Sequence, residues 1–142
     1  MLMTSAHFAN QYRQTGVSSA VLDADPHKLI ALMLAGARER ARLAVACLER
    51  GDLPRKAQAI TDASAIIGGL NGALNLEAGG EIADGLHALY DYAQRRLLDA
   101  NAGNDAAPLL EVDGLLGDIE SAWTAIAPVA NATARSPAGA TP

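Results

Sequence analysis

The stretch Gly79–Asn101, GGEIADGLHALYDYAQRRLLDAN, decides the fold. Its two glycines permit the left-handed backbone that ends a helix, and Glu81 then places a carboxylate at the positive end of a new one. From there Ile82, Leu86, Leu89, Ala93 and Leu97 recur at steps of three and four, which puts them on one helix face. The run closes between Asn101 and Asn104, in residues suited to a C-cap and turn. A helix with one apolar face needs other helices to cover it.

Those helices lie on either side. Asp25-Pro26 and Asp52-Leu53-Pro54 each place a proline in a first helical turn, where its missing donor costs nothing. From Pro26 to about Arg50 the residues Ile30, Met33, Ala37, Ala41, Ala44 and Leu48 form a core stripe. A second stripe, Leu29, Leu32, Gly36, Leu43 and Cys47, runs beside it, so this helix is apolar over more of its circumference than a surface helix needs. From Pro54 to about Asn75, Ile60, Ala63, Ile67, Leu70 and Leu74 make the seam of near-parallel bundle packing. After the quoted stretch come Leu109, Val112, Leu116, Ile119, Trp123 and Ile126. The connections ERGDLP and LEAGGE are short, and short connections join antiparallel neighbours. The expectation is an all-α protein: an antiparallel four-helix bundle over 25–126, an N-terminal arm or short helix over 1–24, and a disordered C-terminal tail over 127–142, where small, polar and proline-punctuated residues have nothing to bury.

Composition narrows the function. A chain of 142 residues makes one domain, large enough to bury about two thirds of its unfolded surface without a staple. Its apolar half is rich in alanine and only 4% of the residues are aromatic, which favours helices over strands. A net charge of −5 argues against DNA or RNA, whose phosphates need a basic face. Cys47 is the single cysteine, so the chain carries no internal disulfide. The amino terminus, MLMTSAHFANQYRQ, lacks a basic start followed by an apolar run, and no segment approaches about 18 uninterrupted apolar residues. No membrane insertion and a cytoplasmic location are expected.

Catalytic chemistry finds little to work with. No local signature of a nucleophile with its base appears, and no Gly-rich phosphate loop, so the chain reads as no enzyme. His7, His27 and His87 are too far apart to form a local ligand motif. Asp84 and His87 have the spacing of a di-metal bundle, but no second such motif exists and no cofactor is implied. The leading alternative is a histidine phosphotransfer domain using His87. There a lysine and a glycine normally follow the histidine, whereas Ala88, Leu89, Tyr90 and Asp91 follow it here. Arg38, Arg40 and Arg42, with Glu39 among them, read as a wet helix face, and Arg95-Arg96 as a pair near a helix C-terminus where cations sit well.

Taken together, these motifs resemble the flagellar secretion chaperone family FliS, over about Tyr12 to Trp123. That family shows a tyrosine in the arm and then a segment like SPxxLIxMLYxGA. Here Tyr12 is followed by DADPHKLIALMLAGA, matching at Pro26, Leu29, Ile30, Met33, Gly36 and Ala37 and departing at Leu34 and Ala35. Asn75 stands where an aspartate is frequent, while the glycine turn, Leu89-Tyr90-Asp91-Tyr92, Arg95-Arg96-Leu97 and Trp123 follow in the family's order. The resemblance implies an antiparallel helical bundle that binds the disordered C-terminal segment of flagellin in the cytosol, keeps it from polymerising early and delivers it to the flagellar export gate. It implies no cofactor. In some relatives an anti-sigma factor is a further partner.

Ordering such a client costs about 1 to 2 kcal/mol per residue in backbone entropy. At about 25 cal/mol per Å² of apolar burial, a client of about 40 residues needs on the order of 2,000 Å² or more, so it must wrap around the bundle. The second stripe of the first helix, with Leu29, Leu32 and Leu43, is one candidate surface, joined by exposed apolar residues of the next two helices such as Ile66 and Tyr90. The competing reading covers the same stripe with the arm or a neighbouring helix. Phe8 and Tyr12 would lie over the groove in the free protein and leave it when the client arrives. An uncovered groove can also pair with a second copy as a weak homodimer.

Overall fold

In the computed structural model the described residues, 25–139, form four helices, with side chains described as far as Ile126. They are α1 (Pro26–Arg50), α2 (Leu53–Gly72), α3 (Leu76–Gly103) and α4 (Ala106–Gly139). The arm over 1–24, with Phe8 and Tyr12, lies outside the described residues, as do the side chains of the tail expected over 127–142.

Each start has a chemical cause. The Asp25 carboxylate accepts a 2.7 Å hydrogen bond from the Lys28 N–H, and Asp52 accepts one of 3.3 Å from Arg55 N–H. Asn75 and Asp105 do the same for Ala78 and Ala107, both at 3.0 Å. α1 stops at Gly51, whose φ of +75° only glycine adopts readily and which lets Asp52 N–H bond back to the Cys47 carbonyl at 2.8 Å.

Side-chain links between helices show the up-down-up-down course. Along the α2–α3 seam Lys56 meets Asn101, Ser64 meets Gln94 and Asn71 meets His87, an antiparallel series. Along α1–α4, His27 meets Trp123 and Arg42 meets Asp113. α1 packs against α2 and α4, and α3 closes the ring against the same two. The core combines Leu34, Ile67, Leu70, Leu97, Leu109, Val112 and Leu116 with Ala37, Ala41, Ala44, Ala63, Ala93 and Ala100. Burying each of the larger side chains contributes about 1.5 to 3 kcal/mol, and the alanines let helices approach closely. The core stripes expected on α1 and α2 are buried or, at Ile30, Leu48 and Leu74, partly so, as is most of that on α4, although Ile126 at its end is exposed.

Two features differ from the sequence expectation. Gly79 and Gly80 do not separate α2 from α3. α2 ends at Gly72, Asn75 caps a further turn, and the break falls inside α3 at Gly80, with φ 55° and ψ −132°. The second difference is the rotation of α3. Ala93 and Leu97 are buried and Leu86 partly so, but Ile82 is 77% exposed and Leu89 is also exposed, while Ala83, Tyr90 and Ala100 are buried. The series 83, 86, 90, 93, 97 and 100 fits the helical period as well as the expected one. Packing an alanine-lined helix close to its neighbours selected it.

Candidate functional site

Among the described residues a groove stays open along the α2–α3 seam. On the α2 side its edge is made of Thr61, Ser64, Ala65, Gly68 and Gly72, and on the α3 side of Gln94, Leu98 and Asn101, with Ile60 and Leu97 beneath. Small residues on α2 leave a groove of about 630 Å³. From Ile60 to Gly72 it runs about 18 Å, at 1.5 Å of rise per residue. Gln94 crosses it, donating from Nε2 to the Ser64 carbonyl at 2.9 Å. A Cβ on Gly68 would lie 3.3 Å from that nitrogen, so the glycine leaves room for the amide. At one end Lys56, only 4% exposed, donates to the Asn101 carbonyl at 3.1 Å and to Asn101 Oδ1 at 2.6 Å, a cation placed at the negative end of α3.

No lining residue is titratable, and the lining is dominated by alkyl groups and glycine. Such a surface can take up apolar side chains, but it offers no acid or base that would activate the Thr61 or Ser64 hydroxyl. Leu98, 66% exposed, stands on the rim. On the α1 surface Leu43 is 42% exposed and Leu32 half-buried, and on α3 Ile82 and Leu89 face outward.

Of the client-binding residues expected from the sequence, Leu43 is exposed and Leu32 partly so. Leu29, Ile66 and Tyr90 are buried in the core cluster. Ile66 and Tyr90, expected outside, are therefore corrected to core; Tyr90 is 3% exposed, and burial pushes its phenol up to about 12. Within the second α1 stripe Leu29, Gly36 and Cys47 are covered, as the competing reading had it. The groove itself was missed. Its signal was ASAIIGGLNGA, residues 63–73, because several glycines inside one helix each cost about 1 kcal/mol relative to alanine and so call for a packing reason.

Of the arginines expected to form a wet face, Arg42 is exposed, whereas Arg38 is part-buried and bridges α1 to α4. Arg38 donates from Nε to Asp113 at 2.7 Å and from Nη1 to Glu120 at 2.6 Å, and Arg42 reaches Asp113 at 3.1 Å. Burial pushes the Asp113 carboxyl up, but hydrogen bonds from Arg38 and Arg42 outweigh it and hold it below its usual range. Between α3 and α4, Glu111 accepts from the Tyr92 hydroxyl and from Arg96 at 2.7 Å; the tyrosine first and the arginine second lower its carboxyl. His87 donates from Nδ1 to Asn71 Oδ1 at 2.7 Å, and its Nε2 lies 3.6 Å from Asp91 Oδ2. A phosphoryl group arriving there would meet like charge.

Comparison with known proteins agrees with a binding surface rather than a reaction centre. The family model described as "Flagellar protein FliS" matches residues 8–130. The chain belongs to the FliS family. It is 45% identical over 130 residues to the "Flagellar secretion chaperone FliS" of Salmonella typhimurium, covering 91% of this chain and 96% of that one. It is 44% identical over 116 residues to the "Flagellar secretion chaperone FliSB" of Pseudomonas aeruginosa, covering 82% and 92%. With the FliS of Bacillus subtilis it shares 36% over 112 residues, 79% and 80% of the two chains. FliS is a chaperone family, so the chain is an export chaperone and not an enzyme, and the phosphotransfer alternative at His87 falls away. No described helix is long and apolar enough to cross a membrane.

Proposed function

We propose that this chaperone binds the disordered C-terminal segment of flagellin in the cytosol, prevents its premature polymerisation and hands it to the flagellar export gate. The observation that carries the reading is the α2–α3 groove, open, apolar and free of titratable lining, in a chain of a secretion-chaperone family. An 18 Å furrow takes about a dozen residues of helical client. The remainder of the client continues over other exposed apolar side chains, Leu43 on α1 and Ile82 and Leu89 on α3, and past the half-buried Leu32. Phe8 and Tyr12, which lie outside the described residues, belong to the same proposal as client contacts. Such a large, partly apolar contact is what offsets the entropy of ordering a disordered chain.

The test is co-purification of the full chain with a flagellin C-terminal peptide, against a peptide lacking that segment. Retention of the first alone is expected. Leu98→Asp on the groove rim should reduce retention at least tenfold while the circular-dichroism spectrum stays helical. Equal retention of both peptides would overturn the reading.

A further inference from the structure

The first half of α3 is held differently from everything around it. Among the described residues between Asn71 and Tyr90, Ala83 alone is fully buried, with Leu74 and Leu86 partly so. In the next eleven residues Tyr90, Ala93, Leu97 and Ala100 are all buried. The segment has a break of its own at Gly80, whose dihedral angles are closed to other residues, so the turn Leu76–Gly79 is not continuous with the helix that follows. Its lateral hold on α2 is polar. Asn71 accepts from His87 Nδ1 at 2.7 Å and donates from Nδ2 to Asp91 Oδ1 at 3.3 Å, and all three side chains are partly or fully solvent-exposed. Exposed hydrogen bonds of this kind are each worth only about 0.5 to 1.5 kcal/mol, whereas the second half of α3 is fastened by core packing.

We propose that residues 73–89 form a latch that opens independently of the rest of the bundle, with the Asn71–His87–Asp91 clip as its catch. Segments with few buried apolar contacts and exposed hydrogen bonds open at a small fraction of the global unfolding free energy. Gly72, the last residue of α2 to line the groove, adjoins Asn71. Opening therefore lengthens the groove at that end and presents Leu70, near the end of α2, to whatever occupies it. The latch stands on packing and polar contacts in the free chain; only its use in client capture rests on the proposed function.

Thiol labelling of the full chain tests it. The native Cys47 is buried in α1 and serves as an internal reference for opening of the core. In Ala83→Cys the new thiol should react at least about 100-fold faster than Cys47, and in Ala93→Cys both thiols should react at the slow rate. Adding Asn71→Ala to Ala83→Cys should raise the fast rate several-fold and leave Cys47 unchanged. Equal rates for Cys47 and the thiol at position 83 would overturn the latch. If Ala83→Cys perturbs the fold, amide exchange of the unmodified chain decides: residues 82–89 should exchange at least about 100-fold faster than 93–100, and uniform protection overturns the proposal. None of these measurements involves client, so a failed peptide co-purification does not bear on them.

Discussion

The α1–α4 seam and the α2–α3 seam both have a glycine on the facing surface, and the two glycines do opposite things. On α4, Gly117 lies beneath the Arg38 guanidinium, whose Cζ would be 3.0 Å from an added Cβ. Asp113 and Glu120, one turn to either side, hold that guanidinium, so the space left by the glycine is filled and the seam is sealed. Its far end is closed by Trp123, which stacks on His27 with ring centroids 4.3 Å apart and donates from Nε1 to the His27 carbonyl at 2.9 Å. His27 returns a 3.2 Å hydrogen bond from Nε2 to the Trp123 carbonyl. On α2, Gly68 faces only the Gln94 amide, and the space beside it stays open as the groove. A missing side chain makes a binding surface only where no partner helix supplies a group to fill the gap.

The largest effect should come from breaking the sealed seam. Arg38→Ala strands two partly buried carboxylates and should lower stability by about 1 to 3 kcal/mol in urea unfolding, with client affinity unchanged within about twofold. A parallel loss of client affinity would mean that both seams serve binding. The reverse experiment fills the open seam. Gly68→Leu should cost at least tenfold in client affinity, about 1.4 kcal/mol. Its stability should change little, because a gain of about 1 kcal/mol in helix propensity roughly offsets displacement of the Gln94 bond.

A smaller effect separates two glycines on one helix. Gly114 has nothing within 4 Å of its added Cβ, so Gly114→Ala should stabilise by about 0.5 to 1 kcal/mol. Gly117→Ala makes the same propensity gain but pushes the guanidinium from its carboxylates, so it should be neutral or destabilising. Thermal melts that show equal stabilisation would count against the seal. The smallest effect is the pH dependence. Asp113 titrates in the folded chain below its usual 3.8, so its pairing stabilises fully above that value and is lost as pH falls through the lower folded one. Acid titration of stability should show this limb in the native chain and a shallower one in Arg38→Ala.

Much of the architecture is legible in local pattern. Asp25 and Asp52 before prolines mark two helix starts because capping and proline geometry are properties of a few adjacent residues. The stripes on α1, α2 and most of α4 are legible because each is the dominant apolar series of its helix. The site is less so. Leu43 stays outside as its position suggests, yet Leu29, Ile66 and Tyr90 go into the core, and the groove edge is made of residues that carry no hydrophobic signal.

The amino-acid pattern alone therefore settles the number of helices, the starts of α1 and α2, their antiparallel order and, through the joint order of its motifs, the family. Tertiary structure decides which of two adjacent stripes on α3 turns inward, that Arg38 is a rivet rather than a wet side chain, and that a groove stays open beside Gly68 and Gly72 of α2. The period of one helix sets the spacing of its apolar residues but not the phase at which a neighbour meets them. That phase, and the gaps it leaves, exist only once four helices are packed together.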